Sequence, residues 1–298
     1  MFAASLAMLL FAVSSVSAKR SVLLIGSTHA NFVRILLATV VLGIWAHGFG
    51  AGVGGPALGW FILSGLIGFG ICDTAIFLAL PRLGAQLTSL MVQCLAAPIA
   101  AGVEWAWLGT RLTPSEMVAG MLILGGVAVA LVPVRGPARR GGLHPGWPGY
   151  LLGGVAAAGQ AVGAVLSRHG QLLSESAGFP MDGLSVAYQR ILAGLAFTGL
   201  WWFWARRNRV GVAPEGPLPV RRATPWILVN AFSGPSLGVA AYQWALQHQP
   251  TGIVVAIAAL TPLAVIPLAW WIDREVPTRR SLAGGLLAVG GAVWLALT

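Results

Sequence analysis

Long apolar runs separated by short polar breaks fill the chain from end to end. A helix needs ~20 apolar residues to cross the hydrocarbon core. Reading such runs against Gly, Pro and Arg breakers predicts ten spans, at 2–18, 31–49, 59–80, 86–108, 115–133, 149–167, 185–204, 226–246, 251–271 and 281–298. Lys19-Arg20 is expected to close the first span, and the stretch Gly50 to Pro56 separates the second from the third. Two longer linkers, Arg135 to Pro148 and Arg206 to Pro225, follow the fifth and seventh spans. Trp60, Trp147 and Trp226 open spans, while Trp107, Trp204 and Trp271 close them. That placement suits indole rings at the headgroup level. The pattern is that of an all-α polytopic membrane protein.

Composition removes the soluble alternatives. The AVILMFWYC set makes up 57% of 298 residues and charged residues 9%, against about 25% in an average soluble protein. Ten spans leave no room for a sizeable soluble domain. The net charge of +10 does not read as a nucleic-acid surface, which needs its basic residues gathered on one water-facing patch. The 17 arginines and one lysine are instead spread through interhelical loops, and 14 of these 18 fall on one side of the predicted topology. Arg111, Arg168 and Arg190 fall on the other side, and Arg34 lies inside the start of the second span. The positive-inside rule puts the 14-residue side in the cytoplasm and both termini outside, as expected for a bacterial inner membrane.

Val16-Ser17-Ala18 resembles a signal-peptidase site, but no positive segment precedes the apolar core. Cleavage would also invert every later loop against the charge bias, so residues 2–18 read as a retained span. The abrupt apolar start at Met1-Phe2 suggests a start further upstream. Cys72 and Cys94 lie in apolar runs without CxxC spacing and read as packing residues.

Self-comparison reveals a repeat. Residues 98–131 pair without a gap with 262–295, placing Pro98, Trp107, Gly120 and Gly126 on Pro262, Trp271, Gly284 and Gly290. A shorter offset places Arg34-Ile35-Leu36, Gly43 and Trp45 on Arg190-Ile191-Leu192, Gly199 and Trp201. The chain is therefore expected to hold a first five-helix unit at 1–133, a linker at 134–148 and a second unit at 149–298. Five spans is an odd number, so the second unit enters the membrane from the opposite side. Such an inverted repeat places a solute site near the midplane, where the halves meet.

The candidate site residues follow from that frame. Pro98 and Pro262 occupy matching interior positions of spans four and nine, where each deprives a carbonyl four residues earlier, on Cys94 or Ala258, of its helical donor. Matched interruptions of this kind point toward a transport cavity. Asp73 is the carboxylate nearest the centre of a span. A buried carboxylate costs several kcal/mol unless paired or protonated, so Asp73 suits proton coupling, a substrate amine or a helix-packing hydrogen bond. Arg34 and Arg190 form a repeat-related pair near opposite faces, as interfacial anchors or as gate residues. Gln93, Gln160, Asn230, Tyr242, Gln243 and Thr261 lie in or beside spans, to hydrogen-bond a solute or to tie helices together. Glu104, one turn from the end of span four, divides evenly between function and snorkelling. Gly234-Pro235-Ser236-Leu237-Gly238 matches GxSxG and Ala46-His47-Gly48-Phe49-Gly50 matches AHxxG, local patterns found in intramembrane serine proteases. Short glycine patterns arise easily among 40 glycines, and Gly234 coincides with Gly70 under the repeat, which favours a kink position. No HExxH, Walker A or CxxC cluster is present, so no cofactor and no ATP-driven step is expected within the chain.

The stretch from Gly70 to Gly126 resembles the drug/metabolite transporter superfamily, EamA type, and the resemblance extends over nearly the whole chain. Its marks are Asp73 after Gly-x-x, then Leu83-Gly84-Ala85, Pro98, Trp107-Leu108-Gly109, Gly120 and Gly126-Val127, with Arg34 opening the second span and Arg190 repeating it. The resemblance implies ten helices in a basket around a central cavity, secondary transport of small solutes, frequently export of amino acids or other metabolites, and no catalytic residues. Two departures stand out. Leu108-Gly109-Thr110-Arg111-Leu112 lacks the acid of the usual Leu-Gly-Glu-Arg-Leu, although Glu275 survives at the matching end of span nine. Better-known relatives have cytoplasmic termini, the reverse of the charge count. The expected partners are a small-molecule solute, the lipid bilayer and possible protons, with no nucleic acid, in a monomer or homodimer. The competing readings are a membrane-embedded serine hydrolase and a non-transporting membrane scaffold.

Overall fold

The structure is a computed structural model that describes residues 2–108, 113–131, 146–208, 210, 218–248, 257–274 and 277–297. The described residues form helices α1 (Phe2–Ile25), α2 (Ser27–Gly48), α3 (Leu58–Gly65), α4 (Asp73–Leu108), α5 (Pro114–Leu131), α6 (Trp147–Ser176), α7 (Gly183–Arg207), α8 (Val220–Ala231), α9 (Leu237–His248), α10 (Thr261–Asp273) and α11 (Arg279–Leu297). A π-helical segment, Leu66–Cys72, joins α3 to α4, and a second, Phe232–Ser236, joins α8 to α9. Most of the linker between the halves, the Leu-Gly-Thr-Arg-Leu motif beyond Leu108, the beginning of span nine and Glu275 lie outside the described residues, as does the side chain of Glu104.

Two chain breaks explain how the predicted spans map onto these helices. Helix α4 carries the end of span three and the whole of span four in one run, but Gly84, at φ 78° and ψ 172°, turns the chain sharply where the sequence expected a break. Only glycine adopts that backbone without a steric penalty. Gly26, at φ 83°, makes the corresponding turn between α1 and α2. The first span therefore does not end at Lys19-Arg20 as expected. It continues as helix to Ile25, because both cations are neutralised inside the fold. Lys19 Nζ pairs with Asp273 Oδ2 at 2.9 Å, Arg20 Nε pairs with Asp273 Oδ1, and Arg20 also donates to the Ile272 carbonyl. Among the described residues, four apolar helical stretches meet the length and composition of a membrane span, namely Phe2–Ile25, Ser27–Gly48, Leu58–Ala100 and Trp147–Ser176, and the third of these covers two spans.

The helix pairings exchange when spans one to five are replaced by spans six to ten. Helix α2 packs on α7 and α5 on α11, each pair being related by the repeat. The contact of α1 with α8 is mirrored by α6 with α3, and that of α1 with α10 by α6 with α4. The two π-helical segments also stand in matching places, with Gly70 in one and Gly234 in the other.

Close approach of α5 and α11 depends on glycine. A Cβ on Gly126 would lie 2.7 Å from the Gly284 carbonyl oxygen, and one on Gly291 would lie 2.9 Å from Ile123 N. In a bilayer such backbone proximity drives helix association through dispersion, since lipid tails are as apolar as leucine. Gly120 and Gly290, the repeat counterparts of Gly284 and Gly126, face open space, so this single interface uses different glycines from each half. Gly126→Leu is expected to lower the melting temperature of detergent-purified protein by more than any other leucine substitution at a glycine of α5. Gly125→Leu, at a neighbouring glycine with nothing within 4 Å, serves as the control and should leave the temperature nearly unchanged.

Candidate functional site

A cavity of about 130 Å³ lies where α1, α2, α6, α7, α9, the two π-helical segments and both arms of α4 converge. Its charged lining residues are Arg34, Asp73 and Arg190. Helix α2 starts at Ser27 and α7 at Gly183, so each arginine stands seven residues inside its helix, about 10 Å along the axis. Of the two sequence readings, interfacial anchors or gate residues, the first does not fit this depth. Both side chains are buried, Arg34 at 5% and Arg190 at 8% exposure, and both converge on the same space.

Each arginine packs against the π-helical segment of the other half. A Cβ on Gly234 would lie 3.4 Å from Arg34 Nη1, and one on Gly68 would lie 3.1 Å from Arg190 Nη2. A π-helical turn shifts the register of the residues beyond it, and here the glycines let guanidinium groups approach the backbone. Beyond that packing the symmetry fails. Arg34 forms an ion pair with Asp73, donates from Nε to Asn31 Oδ1 at 3.1 Å, and stands 4.4 Å above the Phe77 ring. Arg190 stands 5.3 Å from the Phe69 ring. It makes no ion pair or hydrogen bond with the described residues, and its Nε is buried without a partner. The position matched to Asp73 in the second half is Leu237, which is half-exposed on the outside of the bundle.

The amide candidates are engaged to different degrees. Gln243 accepts from Gln171 Nε2 at 2.5 Å and donates to Ser167 Oγ at 3.4 Å. Gln160 accepts a long contact of 4.0 Å from the Cys72 thiol, and Gln93 lines the cavity without a hydrogen bond to any described residue. Tyr242 lines the cavity beside Phe11, with ring centroids 6.1 Å apart.

Asn230 falls just outside the cavity. Its amide donates to the carbonyl and hydroxyl oxygens of Ser14, at 2.7 and 3.0 Å, tying α8 to α1. Pro98, Thr261 and Pro262 do not line the cavity. Pro262 is not an interior kink as expected but stands in the first turn of α10, where its missing N–H breaks nothing. The carbonyl of Ala258 is satisfied by the Thr261 hydroxyl at 2.6 Å, which also commits Thr261 to the backbone. The GxSxG pattern does not form a Ser–His pair. Ser236 Oγ is buried without a partner, and His47 Nε2 meets the Tyr188 hydroxyl at 3.1 Å.

Sequence reading missed Phe11, Ser14, Ser15, Phe69 and Phe77 as lining residues. Ser14 and Phe69 are too common in type to signal a cavity, but Gly68 and Gly234, close in sequence to Asp73 and its repeat position, could have marked the two segments. A second cavity of about 200 Å³, between α2 and α8, is lined mainly by aliphatic side chains and holds no charged pair.

Comparison with known proteins agrees with this architecture. The EamA-like transporter family matches residues 1–132 and 147–297. The chain belongs to the EamA-like transporter family. This EamA-like protein is thus an integral membrane protein with two repeated halves, of a family that carries small solutes. A solved structure titled "Crystal structure of protein" superposes with a TM-score of 0.61 at 21% identity, covering 99% of this chain and 96% of that one, which supports the fold. No match was found among curated proteins.

The Arg34–Asp73 pair generates a stability prediction. Removing one partner of a buried ion pair strands the other charge and costs about 3–5 kcal/mol, whereas replacing both by apolar residues is often neutral. Asp73→Asn in the EamA-like protein should therefore lower thermal stability sharply, and the double variant Arg34→Leu with Asp73→Leu should recover most of the loss. A double variant no more stable than Asp73→Asn would show that the pair is not the interaction at stake.

Proposed function

We propose that this protein is a secondary transporter that exports a small amino-acid-like or amphiphilic metabolite by alternating access, with the cavity between the halves as its solute site. The exchange of helix pairings between spans one to five and six to ten carries this reading. Two quasi-equivalent units that pack on each other reciprocally can trade conformations, which opens the central space to one face and then the other. The units that trade are the two five-helix repeats, with the linker between them as the covalent tie.

The Lys19, Arg20 and Asp273 cluster joins α1 to α10 on the basic, cytoplasmic face. In the proposed cycle this contact is part of the closure on that side and separates when the face opens. Asp73 serves in this reading as the counter-ion of Arg34, so export follows the solute's own gradient; coupling to protons would require that pair to part. Ser236, buried in a π-helical segment, favours transport over the membrane-hydrolase alternative.

Counterflow in proteoliposomes tests the proposal. Vesicles loaded with a pool of unlabelled small metabolites should transiently concentrate a labelled member of that pool above its equilibrium level, and protein-free vesicles should not. Absence of counterflow across the whole pool, or labelling of Ser236 by a serine-reactive probe, would count against transport.

A further inference from the structure

The cavity carries an unbalanced charge. Arg34 and Asp73 neutralise each other, which leaves Arg190 as the remaining charge among the lining residues. Burying an ion without a partner is among the most expensive arrangements a fold can hold. The first half supplies Asp73 beside its arginine, whereas the second half brings no carboxylate into the lining, its matched residue Leu237 facing outward.

Arg190 lines the cavity with a guanidinium whose hydrogen-bonding capacity is unspent. Phe69 covers the guanidinium at 5.3 Å from its centroid, and Nε–H is buried without an acceptor. Gly68 lets Nη2 pack against the π-helical backbone, since a Cβ there would stand 3.1 Å from it. The Nε–H and an Nη–H of arginine form a fork that matches two carboxylate oxygens. Phe11, Phe77, Tyr242, Gln93 and Gln160 supply aromatic and amide surface nearby, among aliphatic and serine residues of the same wall. A volume of about 130 Å³ is close to the ~150 Å³ that admits benzene in an engineered cavity.

We propose that Arg190 docks the carboxylate of the transported solute, and that the solute is a compact monoanion at that end with an apolar body. The proposal rests on the cavity being the solute site. A cation that carries no carboxylate is disfavoured there, because the one lining carboxylate is already engaged and the cavity is net positive. A dianion such as phosphate would exchange one unbalanced charge for another.

Thermal-shift and equilibrium-binding measurements on the full-length protein in detergent test the assignment. The probes are benzoate, phenylacetate and L-leucine, with benzamide, benzylamine and inorganic phosphate as controls, because a ligand that binds only the native state raises its apparent stability. At least one of the three carboxylates is expected to stabilise the protein, benzamide and benzylamine are not, and Arg190→Gln should weaken carboxylate binding about thirtyfold or more. If Arg190→Gln does not purify as a folded protein, Arg190→Lys carries the test, since it keeps the charge but loses the fork and should still weaken binding. Binding of benzamide, benzylamine or phosphate as tight as that of the carboxylates, wild-type affinity in either variant, or no binding of any carboxylate would overturn the assignment. Counterflow separates the two proposals. Exchange of neutral or cationic solutes without carboxylate binding sinks the anion site but not transport. Carboxylate binding lost with Arg190, together with no exchange of any solute, sinks transport but not the site.

Discussion

Two guanidinium groups held inside an apolar bundle set the terms for the rest of this structure. An arginine at that depth must find an anion, an aromatic face or a backbone oxygen, since lipid offers none of them. Arg34 finds Asp73, Asn31 and Phe77. Arg190 finds the Phe69 ring. The π-helical segments, the glycines within them and the crossing of each arginine toward the opposite half are the local adjustments that admit these groups, and together they enclose the polar space between the halves.

The repeat supplies the architecture, and its breakdown supplies the chemistry. Paired contacts such as α2 with α7 and α5 with α11 are what two antiparallel copies of one unit must make around a two-fold axis. Strict symmetry would give two neutral ion pairs and an electrically indifferent cavity. Instead one half brings an arginine and an acid to the cavity and the other brings an arginine alone, which gives the space a preferred sign. The Lys19, Arg20 and Asp273 cluster shows the same economy at the basic face, where one carboxylate serves two cations from another helix.

Much of this was legible in the sequence, and the exceptions have physical causes. The spans, the turn near Gly84, the inverted repeat and the family resemblance follow from hydropathy and from Gly, Pro and Trp spacing, which report backbone constraints directly. Asp73, Arg34, Arg190, Gln93, Gln160, Tyr242 and Gln243 were named as candidates and do share one cavity, because polar groups in a span must be accommodated somewhere. Pro262 and Thr261 were misplaced because proline is compatible with both a kink and a helix start, and only the neighbouring break at residues 259–260 decides between them. Lys19 and Arg20 read as a span end in the sequence because their partner, Asp273, lies over 250 residues away. Long-range neutralisation leaves no local signature.

Accessibility of the cavity wall from the two sides of the membrane tests the central claim most directly. Single cysteines replacing Gln93 and Gln160, in a background with Cys72 and Cys94 changed to alanine, can be exposed to a membrane-impermeant thiol reagent from either face of oriented vesicles. One residue comes from each half, and the account predicts that both positions react from both faces, with a cavity-filling solute slowing all four reactions. Reaction from one face only, or none at either position, would contradict two antiparallel halves enclosing a shared polar cavity that opens alternately.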